Sequence, residues 1–161
     1  MNREERRDFV KTHRTAVIAT SRKLDGPAQS IVYYVSDGDD LLVSTMGARA
    51  KAKAVERLGK VSLCVLDEQW PPTYVVVYCD ARVEREPRAV VDLMMRVAGV
   101  MAGKDMPESV RPMVEEGARK EGRVVLRLKP YATFCTPPRH VHHERDVNEK
   151  LTHELGSTLA W

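Results

Sequence analysis

Arg49, Lys51 and Lys53 fall at alternate positions in the segment Met46-Gly47-Ala48-Arg49-Ala50-Lys51-Ala52-Lys53-Ala54. The segment follows the β-like run Leu41-Leu42-Val43-Ser44-Thr45. Its alanines favour helix, and Gly47 gives the backbone freedom to pass from strand to helix. Cations at a helix start oppose the macrodipole, at a cost of about 0.3–1 kcal/mol each. Free backbone N–H groups and converging cations at that place would hold a phosphate well. Ser44 and Thr45 end the strand just before the helix, where their hydroxyls either join the phosphate or cap the helix. The competing reading is a solvated, merely basic helix.

Other side chains offer less chemistry. His140, His142 and His143 cluster near the end, with Glu144 and Asp146 beside them. Their spacing matches no zinc pattern, so a polar tail and no metal site is expected. Cys64, Cys79 and Cys135 are odd in number and lie in apolar, strand-like contexts. They read as structural thiols of a reducing, cytoplasmic compartment. No Ser-His-Asp or Cys-His arrangement can be assigned, and no catalytic residue stands out among the possible proton donors Tyr33, Tyr34 and Tyr78. That pattern suits a reaction whose chemistry is carried by a cofactor.

The elements that would position these groups read as strands joined by short turns. A helix over Arg3–His13 precedes a β-branched strand at Thr15–Thr20. Asp25-Gly26 signals a tight turn into a strand at Ala28–Val35, and Asp37-Gly38 another into Leu41–Thr45. Val61–Leu66 reads as a buried strand. The loop Asp67–Thr73, carrying Trp70-Pro71-Pro72, leads to a long strand from Tyr74 to about Glu84. Pro87 suits a helix start, and Val90, Leu93, Met94, Val97 and Met101 form an apolar stripe fitting core or dimer packing. A further helix opens at Asp105-Met106-Pro107 with Val110, Met113 and Val114 inward. Arg123–Lys129 alternates as a strand that Pro130 closes, and Tyr131–Cys135 adds one more short strand. Six or seven antiparallel strands with peripheral helices predict an α+β, mainly β rolled sheet or small barrel. Residues 1–135 form this domain and 136–161 an extended tail that can wrap a partner subunit.

At 161 residues the chain fits one domain with a real core. Its 26 basic and 23 acidic side chains leave a net charge of only +3, so any anion site must be local. Without a broad basic face interleaved with aromatics, nucleic acid is not an expected partner. No apolar run approaches the roughly 20 residues that cross a bilayer. The run Met1-Asn2-Arg3-Glu4-Glu5-Arg6-Arg7-Asp8 is too charged for a secretory signal.

Thr15–Thr20, the Asp25-Gly26-Pro27 turn, Leu41–Thr45, Arg49-x-Lys51-x-Lys53 and Lys60–Val65 occur in an order that resembles the pyridoxamine-phosphate-oxidase-like split β-barrel family. Tyr74–Tyr78 and Arg123–Pro130 extend the resemblance, which covers about residues 8–131. It implies a homodimer with a flavin or deazaflavin in a groove between two barrels, its phosphate near the start of the helix after the third strand. It places the backbone of Gln29, Ser30, Ile31 and Val32 beside the cofactor ring, and Ser44, Thr45, Arg49, Lys51 and Lys53 near the phosphate. Trp70 and Tyr74 would close the groove from the second subunit. Vitamin-B6 oxidation is not expected. An alanine separates Arg49 from Lys51, Ile31–Val35 holds no cation, and Arg139-His140 does not replace the usual C-terminal substrate signature. Cys79 also stands where relatives commonly have glycine. The arrangement looks closer to the deazaflavin branch, implying a coenzyme F420-dependent reductase acting on a small organic substrate. Lys53, Arg57 and Lys60 would then lie within reach of the F420 oligoglutamate tail. An FMN oxidoreductase and a non-catalytic flavin or haem carrier are the alternatives.

Overall fold

The computed structural model describes residues 1–69, 73–136 and 156–161. Trp70 and the histidines at 140, 142 and 143 lie outside the described residues. Among the described residues, eight antiparallel strands form one sheet: β1 (Thr15–Thr20), β2 (Ala28–Tyr33), β3 (Val35–Asp37), β4 (Asp40–Met46), β5 (Lys60–Asp67), β6 (Thr73–Glu84), β7 (Arg123–Cys135) and β8 (Ser157–Ala160). Seven follow the path β2-β1-β5-β6-β7-β4-β3, and β8 pairs with the far half of β7. The helices are α1 (Arg3–Thr12), α2 (Ala50–Leu58), α3 (Pro87–Ala102) and α4 (Arg111–Glu121), with a short 3-10 turn at Glu108–Val110. The α+β split-barrel expectation holds.

Alternation along the strands builds the core. Ile18, Leu63, Val77 and Leu126 point inward and are at most 1% exposed, and Val10 of α1 plugs the same interior. A second apolar layer lies on the outer face of β3, β4 and β7. There Val35, Leu42 and Val125 meet Val90, Leu93 and Met95 of α3. Among the described residues, no helix of the second layer reaches the rest of the outer face. Ile31, Val17, Cys64, Val76 and Phe134 stand opposite one another in a row across β2, β1, β5, β6 and β7. Ile31 is 76% exposed.

Four local expectations change. The strand Ala28–Val35 breaks at Tyr34, whose N–H donates to the Arg14 carbonyl and whose hydroxyl donates to the Val10 carbonyl at 2.5 Å. Asp25-Gly26 sits in a longer connection rather than a two-residue hairpin, because β2 begins only at Ala28. Pro130 does not end β7. Tyr78 pairs with Ala132 and Cys79 with Pro130, so Tyr131 is an extra bulge residue. The bulge lets the strand run on past a residue that has no N–H. Met113 is 70% exposed rather than inward, while Val110 and Val114 pack on the second layer.

The chain's last residues return to its own barrel. β8 pairs with Ala132–Cys135, and Trp161 is buried in the main core. The buried Arg6 donates to Thr133 Oγ1 at 2.8 Å and to the Ala160 carbonyl at 3.0 Å. Arg3 donates to the Trp161 carbonyl.

Candidate functional site

The two ends of the sheet path, β2 and the β3–β4 hairpin, curl round toward each other, and a groove of about 400 Å³ opens where they meet. Ile31, Val32 and Tyr33 form one side, and Ser44, Thr45 and Met46 the other. Arg49 and Lys51 stand at one end. Among the described residues β2 pairs only with β1, so its second edge presents unpaired backbone N–H and C=O groups at the groove.

Gly47 turns the chain out of β4. Its N–H donates to the Gly122 carbonyl at 2.9 Å. A Cβ there would sit 3.2 Å from Val124 Cγ1. Its φ is not positive, so close approach to β7, rather than turn conformation, is what calls for glycine. α2 starts at Ala50 with Arg49 as N-cap, no side-chain cap and no acid in its first turn. Ser44 and Thr45 therefore do not cap the helix, because the turn Met46–Arg49 separates them from it. Ser44 Oγ is buried without any hydrogen-bond partner, which is costly for a hydroxyl.

Among the described residues, neither Arg49 nor Lys51 has a carboxylate partner. Burial lowers the Lys51 pKa, and the neighbouring Arg49 charge lowers it further. A pair of unopposed cations and an orphaned hydroxyl in one groove fit an anionic group such as a phosphate.

Of the expected site residues, Ile31, Val32, Ser44, Thr45, Arg49 and Lys51 share this groove. Gln29 is exposed on the outer face opposite Ala19, and Ser30 lies opposite Ile18. Lys53 is exposed outside the groove lining. Tyr74 stands on the outer face opposite Leu66, away from this chain's groove. Arg57 donates to the Ser21 carbonyl at 2.6 Å. Lys60 pairs with Asp80 and covers the Tyr131 ring at 4.5 Å. Tyr34 is no plausible acid: its hydroxyl is committed to Val10, and burial pushes its pKa well above the usual phenol range.

The sequence reading missed the opposite wall. Met94, Val97, Ala98 and Met101 of α3 line the groove, as does Arg123 at the start of β7. The apolar stripe on α3 divides: Val90 and Leu93 are buried, while Met101 is 59% exposed at the groove. Only the methionine content hinted at this. Arg123 carried no signal, because its place depends on the β4–β7 register that sets it opposite Met46.

A larger groove of about 950 Å³ lies along the other side of α3, past Met95, Arg96, Gly99 and Val100. Its Arg96 faces Asp37 and the Ser36 carbonyl, and its Arg111 is held by Asp92 and Glu108. Those two cations are already neutralised; Lys11, Arg14 and Lys104 also line this groove, but so do the carboxylates of Asp92, Asp105 and Glu108, whereas no described carboxylate lines the smaller groove. Among the described residues, no three His, Cys, Asp or Glu side chains converge on a metal position. No described helix is long and apolar enough to cross a membrane.

Solved structures share this fold. A conserved hypothetical protein from Mycobacterium tuberculosis superposes with a TM-score of 0.72 at 22% identity, over 89% of this chain and 94% of that one. An F420 reductase superposes with a TM-score of 0.62 at 18% identity, over 78% and 93%. A heme storage protein from Vibrio cholerae reaches 0.57 at 16% identity, over 80% and 89%. No curated protein sequence matches the chain. The family model described as pyridoxamine 5'-phosphate oxidase matches residues 3–134, and the chain belongs to that family.

Proposed function

We propose that this protein is a dimeric oxidoreductase that holds coenzyme F420 in the β2–β4 groove. It acts on an activated double bond of a small, largely planar organic substrate. The observation that carries this reading is that Arg49, Lys51 and Ser44, whose buried Oγ has no partner, line one groove. Arg49 and Lys51 bind the phosphate electrostatically, and Ser44 donates its hydroxyl hydrogen to it. The free edge of β2 at Ile31 and Val32 hydrogen-bonds the pyrimidine edge of the ring, and Met94 and Val97 cover an apolar face. Bound in its reduced form, the deazaflavin would supply a hydride to the substrate.

The preference for F420 over FMN rests on charge. Ile31, Val32 and Tyr33 bring no cation from the strand, so a compact phosphate monoester draws no charge from β2. A phosphodiester with carboxylates beyond it has more anionic groups to engage. The F420 reductase of the same fold is consistent with this choice.

The dimer reading rests on the apolar row Ile31, Val17, Cys64, Val76 and Phe134 on the outer face. An apolar sheet face of this kind suits a second copy of the same surface. Tyr74 lies on that face and would meet the partner's groove. The partner would also exclude water from a site that one chain leaves open.

Titration of the purified protein with F420 and FMN, followed by fluorescence, tests the reading. F420 should bind more tightly at low salt, with the gap narrowing as salt screens the exposed charges. Equal or tighter FMN binding gives first place to the FMN oxidoreductase. A Soret band in the purified protein favours a haem carrier.

A further inference from the structure

Arg123 is a third cation in the same groove, and no assignment so far uses it. It begins β7 directly opposite Met46, the last residue of β4. The hydrogen bond from Gly47 N–H to the Gly122 carbonyl ties its neighbourhood to the turn that carries Arg49. Its Nε donates to Glu121 Oε2 at 2.5 Å. Among the described residues, that carboxylate is the only group it engages. A guanidinium offers five N–H donors in a planar fork, so the terminal N–H groups stay available while Glu121 fixes the Nε side.

Of the three charges expected to continue the anion path along α2, Arg57 is engaged at the Ser21 carbonyl and Lys60 at Asp80, and Lys53 is exposed outside the groove lining. Arg123 instead lies across the groove, at the β4–β7 junction. We infer that Arg123 binds the anionic group of the ligand beyond the phosphate, and that Glu121 holds its guanidinium in position until that group arrives. The inference rests on the groove reading above. It sets the ligand's course: from the α2 start across the end of β4 to β7, not along α2. It also makes Arg123 a specificity-determining residue, favouring ligands that carry a carboxylate or second phosphate past the first.

The test is equilibrium titration of the full chain and its variants with F420, which carries carboxylates beyond its phosphate, and with FMN, which does not. Arg123→Ala should weaken F420 by about tenfold, the scale of one charge-assisted hydrogen bond, and change FMN much less. Glu121→Gln, which removes the competing carboxylate charge, should tighten F420. An Arg49→Ala/Lys51→Ala double variant should weaken both ligands. If Arg123→Ala binds F420 as the parent does while the double variant loses it, the inference is overturned and the groove reading stands. Equal losses of F420 and FMN in Arg123→Ala also overturn it, because Arg123 would then serve the shared phosphate. If the double variant binds both ligands unchanged, the groove reading itself fails.

Discussion

Lys51 and Arg49 share the end of one groove with no described carboxylate between them, and the Lys51 ammonium is the less basic for it. Desolvation is the larger cause and the Arg49 charge the second. The folded-state pKa lies below the ordinary lysine value. The charged form that attracts a phosphate is therefore present below that depressed value and is lost as pH rises through it. Affinity for F420 should hold steady through neutral pH and fall at alkaline pH, earlier than a free lysine would titrate. Lys51→Arg should flatten this fall, since a guanidinium keeps its proton. Isothermal titration across the alkaline range measures it, and an unchanged profile in Lys51→Arg argues against Lys51 as the titrating group.

Loss of either cation should be felt directly. Lys51→Ala and Arg49→Ala should each weaken cofactor binding by about 1.5–3 kcal/mol, the range for hydrogen bonds to charged groups. Lys53→Ala, outside the groove lining, should have a smaller effect. Fluorescence titration of the three variants ranks them, and a Lys53 effect equal to that of Lys51 would move the anion site along α2.

The apolar row on the outer sheet face predicts an assembly. Val76→Lys places a charge within the apolar row and Ile31→Lys one at its β2 end, and each should convert a dimer into monomers. Light scattering of parent and variants reads this. A monomeric parent at micromolar concentration with cofactor still bound removes the dimer, and a dimer intact in both variants moves the interface elsewhere.

The strands and the cationic helix were legible because their signals are local. Alternation at Thr15–Thr20 and Arg123–Lys129, the Asp37-Gly38 turn and the alanines of α2 each act within a few residues. The groove's second wall was not legible. Met94 and Met101 read as core or dimer packing because the stripe on α3 is continuous in sequence, yet β3 covers only Asp40–Leu42 of β4, and part of the stripe lines the groove instead. Arg123 needed the pairing of β4 with β7, separated by some eighty residues of chain. The break at Tyr34 depended on the Val10 carbonyl of α1 and the Arg14 carbonyl just beyond it, which only the folded chain brings to Tyr34.

The closing strand carries its own expectation. Trp161 is 7% exposed in the main core, and β8 holds it there. Trp161→Ala should cost about 3–5 kcal/mol of stability, the range for large-to-small core changes. Leu159→Ala, at an exposed position of the same strand, should stay within about 0.5 kcal/mol. Urea unfolding of both variants gives the comparison, and a small Trp161 effect would mean the segment adds little to the core.

The crystal structure of the protein with bound F420 tests the central claim most directly. The account predicts the phosphate within hydrogen-bonding distance of Lys51 Nζ, the Arg49 guanidinium and Ser44 Oγ, with the ring along the free edge of β2 at Ile31 and Val32. A phosphate found instead in the larger groove beyond α3, among Lys11, Arg14 and Lys104, would contradict it.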